Sequence, residues 1–163
     1  MAHVLAILVA ALSSHCYLPP VSAPITEPFV GPACDYCPGH RGIEYGTAAS
    51  TPVRAAAAGR VTFAGVVVGV RYVVVLDADG VAATYGDLSG SNLRGGDQVA
   101  VGQIVGTSTD RLYFGLRRDE TYLDPTDYLA VVRHRPRLVP SSGLPGRPAR
   151  TLPPSCPAAV SSR

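Results

Sequence analysis

The sequence predicts an all-β fold, an antiparallel β-sheet assembly of short strands, and three observations carry that reading. Runs of β-branched and aromatic residues alternate with Gly- and Asp-rich turn signals from Thr51 to Leu116. No stretch before Leu129 sustains a 3.6-residue apolar period, so no long helix competes for these residues. Prolines at 19, 20, 24, 28, 32 and 38 break the residues around them out of any helix.

Taken in order, residues 14–39 read as a Pro-rich extended segment leading into the domain. Residues 60–68, 71–76 and 81–85 are strands by composition, with Asp79-Gly80 as the hairpin signal between the last two. Gly95-Gly96-Asp97 and Gly102-Gln103 then bracket a short apolar strand, residues 99–101. Residues 104–106 and 112–116 are two further short strands. After Leu129 the composition turns to Arg, Pro and Ser, and residues 130–163 read as a tail.

With 163 residues the chain has room for one ordinary domain plus tails, because about 100 residues already bury a usable core. All 14 basic residues are Arg. The absence of Lys excludes Schiff-base chemistry and carriage of lipoyl or biotinyl groups. All 12 acidic residues lie between Glu27 and Asp127 against eight Arg there, so the domain is net negative. The tail carries six Arg and no acid, a composition that stays solvated or adheres to an anionic wall polymer or membrane surface. Nothing points to nucleic acid.

Residues 4–12 form an apolar run too short to span a bilayer and of the length of a signal-peptide h-region. Residues 1–13 are accordingly expected to be a signal peptide and the protein to be secreted to the cell envelope, although Met1, Ala2 and His3 supply no basic residue ahead of the run. The four cysteines, Cys16, Cys34, Cys37 and Cys156, are an even number, which in an exported chain reads as disulfides. Cys34 and Cys37 are close enough to close a tight loop, leaving Cys16 and Cys156 to tie the domain ends. The rival reading, a CxxC zinc or redox site, needs a second ligand pair or a βαβ context, and neither is present.

Seven segments carry a further reading: PITEPF (24–29), HRGIE (40–44), TPVRAAAAGRVTFAG (51–65), YVVV (72–75), YGDLS (85–89), GDQVAVGQIVG (96–106) and DPTDYL (124–129). In this order and spacing, residues 24–129 resemble the lysostaphin-type, LytM-like zinc peptidases of peptidoglycan. The resemblance implies a duplicated-hybrid-motif peptidase fold. It also implies a zinc held by His and Asp of an HxGxD-like loop and by the second His of an HxH strand, whose residues two apart share a face. The first His of that pair, and another in a Tyr-x-His segment, would orient the attacking water and stabilise the oxyanion.

Carried onto this chain, His40 keeps the first ligand position and Glu44 replaces the Asp. Tyr113 stands at the third ligand position, Arg111 at the first His of the pair, and Asp87 at the His of Tyr-x-His. The remaining histidines, at 3, 15 and 134, lie outside the domain. The expectation is therefore a dismantled site: Asp87 and Arg111 as vestigial catalytic positions, His40, Glu44 and Tyr113 as vestigial metal positions, and no cofactor. The Arg111 guanidinium is expected between Asp87 and Glu44 as a stand-in for the metal, with Tyr113 beside it. The function expected is that of an exported, non-catalytic protein that binds peptidoglycan or activates a cell-wall hydrolase. The alternatives are an active zinc endopeptidase, for which zinc would be the cofactor, and a structural envelope module.

Overall fold

The computed structural model describes residues 16–34 and 36–130, and among them nearly all regular structure is antiparallel sheet. The strands are β1 (Ile25–Glu27), β2 (Ile43–Gly46), β3 (Pro52–Arg54), β4 (Gly59–Val67), β5 (Val70–Leu76), β6 (Val81–Gly90), β7 (Gln98–Val99), β8 (Ile104–Arg118) and β9 (Thr121–Leu123). They hydrogen-bond in the order β1-β2-β8-β6-β5-β4-β7, and β8 also pairs with β3 and β9. A single 3-10 turn, Pro125–Asp127, follows. It is capped by Asp124, whose Oδ1 accepts from the Thr126 amide at 2.9 Å.

The period-2 pattern builds the core. Val73 and Val75 of β5, Val81, Ala83 and Tyr85 of β6, and Leu112, Phe114 and Leu116 of β8 project to one face and are buried. Each fully buried aliphatic or Phe side chain contributes about 1.5–3 kcal/mol of apolar burial. The predicted Asp79-Gly80 turn joins β5 to β6. Its Gly80 adopts φ 78°, a region glycine enters without steric cost, and Asp77 Oδ1 accepts from the amides of Asp79 and Val81, both at 2.9 Å.

The structure departs from the short-strand expectation at β8, where residues 104–106 and 112–116 belong to one 15-residue strand. The polar stretch between them is extended because it is paired on both sides, Thr107 with Pro52 of β3 and with Gly90 of β6, and Ser108 with Leu88 of β6. Ser108 is fully buried there and donates its hydroxyl to Thr47 Oγ1 at 2.9 Å. Conversely, the strand expected at 99–101 shortens to β7. The chain turns at Ala100, whose amide donates to Gln103 Oε1 at 3.0 Å.

The leading segment is more than an extended strap. Tyr17, Pro20 and Val21 are buried in the core, Tyr17 forms a parallel bridge with Leu129, and its hydroxyl donates to Asp77 Oδ2 at 2.6 Å. Cys34 and Cys37 are disulfide-bonded, with Cα atoms 4.9 Å apart. Cys16 carries no free thiol. Its expected partner Cys156, the expected signal peptide, and all of the tail but Ala130 lie outside the described residues.

Candidate functional site

Three adjacent strands, β2, β8 and β6, set out the site. Glu44 is the Cα partner of Tyr113, and Tyr113 is in turn the partner of Gly86, so Glu44, Tyr113 and the Gly86-Asp87 pair lie in a row across the sheet. His40, just ahead of β2, is held by a bridge to Val30 with both backbone hydrogen bonds at 2.9 Å. Its ring is fixed as well, because Nδ1 donates to the Pro28 carbonyl at 2.8 Å. That donation leaves Nε2 of the neutral ring as the unprotonated nitrogen. Nε2 is buried without a hydrogen-bond partner and lies 3.8 Å from Glu44 Oε1.

Glycine is needed at two positions of this row. A Cβ on Gly42 would lie 2.6 Å from the Phe114 carbonyl oxygen and 2.7 Å from Cζ of Tyr113, and one on Gly86 would lie 2.6 Å from the Tyr72 ring. The Tyr72 ring lies against Gly86 and the Tyr113 ring against Gly42 and Gly115, where a side chain would collide with them. With Arg41, Arg117 and Tyr122 they line a groove of ≈350 Å³, across which the Arg41 guanidinium stacks 5.4 Å from the Tyr122 ring centroid. Burial pushes the Tyr113 phenol up to about 12, with the neighbouring Tyr122 hydroxyl adding to the shift, so it remains a neutral hydrogen-bond donor.

Asp87 sits at a register shift between Gly86 and Leu88 and adopts φ 58°, a left-handed conformation that Asp tolerates better than most residues. Its Oδ1 lies 3.5 Å from Arg111 Nε, and the Arg111 side chain is 58% exposed. The expected arrangement of Arg111 between two carboxylates is thus corrected: it pairs with Asp87, while Glu44 faces His40. The register is the reason, since Arg111 stands opposite Gly46, two residues along β2 from Glu44.

One residue of the site was missed in the sequence. Glu27 of β1 is the Cα partner of Glu44, and the ligand atoms of Glu27, His40 and Glu44 all lie within 4.8 Å of one another. The only sequence signal was an acidic residue next to Pro28 in PITEPF, a segment that carries the resemblance but was given no site residue.

A family model described as peptidase family M23 matches residues 38–125, more than half of the chain. The chain belongs to peptidase family M23. The match includes His40, Glu44, Asp87, Arg111 and Tyr113. An uncharacterized protein of Haemophilus influenzae is 32% identical over 97 residues, covering 55% of this chain and 24% of that protein. Csd3 of Helicobacter pylori superposes with a TM-score of 0.62 at 26% identity, over 71% of this chain and 35% of that one. Lysostaphin of Staphylococcus simulans gives a TM-score of 0.59 at 24% identity, over 71% of this chain and 54% of the other, and shows the fold. This chain therefore spans about a quarter of the curated relative and about a third of Csd3.

Against the zinc chemistry that the resemblance to lysostaphin-type peptidases implies, this M23 chain presents only part of a donor set. His40 has an orphaned nitrogen and Glu44 a carboxylate, but the strand position supplies the neutral phenol of Tyr113. That oxygen lies 2.8 Å from where a Cβ on Gly115 would be, further along β8. No imidazole stands at Asp87 or Arg111 to handle a proton. The catalytic zinc set of the resemblance does not fit these residues.

Proposed function

We propose that this M23 chain is an exported, non-hydrolysing protein that acts at the bacterial cell wall, holding wall peptide in its groove or activating a separate wall hydrolase. The observation that carries the reading is the Asp87–Arg111 ion pair at 3.5 Å, which occupies both positions where the peptidases it resembles would place water-handling imidazoles. A carboxylate beside a guanidinium does not replace two imidazoles in passing a proton between the attacking water and the leaving group.

The groove supports the binding half of the reading. Three tyrosine rings and the guanidinium groups of Arg41 and Arg117 offer stacking surfaces, phenol donors and positive charge to a carboxylate-bearing peptide. The Cys34–Cys37 disulfide fits an oxidising compartment.

The test is incubation of the purified protein with peptidoglycan sacculi, followed by sedimentation and mass analysis of released peptides, with zinc and with chelator. Retention on sacculi without peptide release supports the proposal, as does stimulation of a wall hydrolase. Chelator-sensitive release of wall peptides overturns it in favour of an active endopeptidase. Neither retention nor stimulation overturns it in favour of a structural envelope module.

A further inference from the structure

We infer that the outer edge of β4, residues 62–67, is a docking surface for a second copy of this chain, the two edges pairing antiparallel about a twofold axis at Gly65.

Two observations that do not depend on each other mark this edge. The first is that it is open and unguarded. Among the described residues β7 pairs only with Gly59 and Arg60 of β4. The last backbone bonds on that side run from the Val61 amide to the Asp97 carbonyl and from the Gly96 amide to the Val61 carbonyl, both at 2.8 Å. Residues 62–67 have β5 along one side and no ladder partner along the other among the described residues. They hold no charge and no Pro, the devices that keep an exposed edge from pairing, and Phe63, Val66 and Val67 are exposed. The second is the turn that ends the strand. Val68 is 99% exposed and adopts φ 48°, a costly conformation for a β-branched residue, while its side chain buries nothing. Strain of this kind gathers at functional surfaces.

The register follows from the backbone. Val68 and Gly69 make a two-residue turn, so Val67 and Val70 exchange hydrogen bonds, and so in alternation do Gly65 with Tyr72 and Phe63 with Val74. The amides and carbonyls of Ala64 and Val66 point outward. A twofold axis perpendicular to the sheet keeps each face on its own side, and it must therefore pass through a residue and not between two. Placed at Gly65, the axis sets Ala64 to exchange hydrogen bonds with Val66 of the second copy. Phe63 then lies opposite Val67 of the second copy, and Val68 reaches Thr62 of the second copy. An axis at Ala64 would bring Val67 onto Val61, whose backbone groups Asp97 and Gly96 already occupy. An axis at Val66 would leave Phe63 facing the turn at Gly69.

Gly65 suits the axis, because the Phe63 ring lies over it, with Cζ 3.0 Å from where a Cβ would stand. Pairing brings the two Phe63 rings together over the paired glycines. An uncharged apolar strand is what this edge accepts, and residues 62–67 are themselves such a strand, whereas the charged partners of this chain are drawn to Arg41 and Arg117 in the groove. The perpendicular axis also leaves both grooves open on the same side of one continuous sheet. Pairing over residues 63–67 is at the small end of specific interfaces, so the dimer dissociates on dilution. It stands independently of the cell-wall reading, since strand pairing needs no wall ligand.

The test is sedimentation equilibrium of the purified protein over a range of concentrations, with backbone hydrogen exchange at the two extremes. The expected result is a reversible equilibrium of monomer and dimer, with the amides of Ala64 and Val66 slowed only where the dimer forms. V66E should associate at least about tenfold more weakly. Its fold is kept because Arg71 is the cross-strand partner of Val66 and offers the new carboxylate an opposite charge; far-ultraviolet circular dichroism and an unchanged melting transition of the monomer show this. A monomer at every concentration overturns the proposal, and so does a dimer that V66E leaves equally strong. Amides of Ala64 and Val66 that are slow at every concentration also overturn it, since the edge would then be covered by the same chain.

Discussion

Asp87 and Arg111 face each other across the β6–β8 ladder, Oδ1 to Nε at 3.5 Å, at the two positions where the resemblance places catalytic imidazoles. The Arg111 side chain is 58% exposed and that of Asp87 18%, so the guanidinium end of the pair is open to solvent, where screening weakens such contacts. A double-mutant cycle of D87N and R111Q by urea unfolding should give a coupling of about 0.2–1 kcal/mol that disappears in 1 M salt. A larger, salt-insensitive coupling would mark the pair as a structural element of the fold.

Tyr85 is fully buried, and its hydroxyl accepts from the Ala56 amide at 2.7 Å, pinning the turn between β3 and β4 to the core. In Y85F the ring stays and the amide loses its acceptor. Leaving a buried donor unsatisfied costs about 1–3 kcal/mol. Urea denaturation should show a loss in that range with an unchanged m value.

Gly42 packs against the Phe114 carbonyl, where an added methyl would lie 2.6 Å from backbone oxygen. The Tyr113 ring could swing aside, but β8 cannot, because β2 and β6 hold it on both sides. G42A should therefore lose about 1–3 kcal/mol of stability through overpacking. Near-ultraviolet circular dichroism should register displaced tyrosines.

Alkali should destabilise the protein through its buried phenols. Burial pushes the phenols of Tyr45 and Tyr113 up to about 12, whereas in an unfolded chain they ionise near the usual value of about 10. The native state then holds protons that the unfolded state has released, so stability is undiminished below about pH 10 and falls as pH rises toward 12. Melting temperatures across that window should decline, and less steeply in Y45F. A flat profile above pH 10 would contradict the burial of these rings.

Much of the sheet was legible in the residues. The apolar runs of β4 and β5 and the Asp79-Gly80 turn lie within a residue or two of where composition and turn chemistry put them, and β6 starts at Val81 as expected but runs five residues past Tyr85, to Gly90. The middle of β8 was not legible, because Thr107, Ser108, Thr109 and Asp110 carry no apolar alternation. They are extended because β3 and β6 supply ladder partners from distant sequence. The burial of Tyr17 and Val21 was likewise invisible, since a proline-rich segment announces its lack of helix and not what it packs against.

At the site, the sequence by itself determined the inventory: one histidine in the domain, a glutamate four residues on, and Asp, Arg and Tyr where the resemblance expects imidazoles. Residue type and spacing along one strand are local facts. Only the tertiary structure decided the pairing, placing Arg111 with Asp87 and Glu44 with His40, and bringing in Glu27 from β1. Antiparallel register is the physical reason: a single alignment of β1 on β2 and of β2 on β8 sets which side chains face one another.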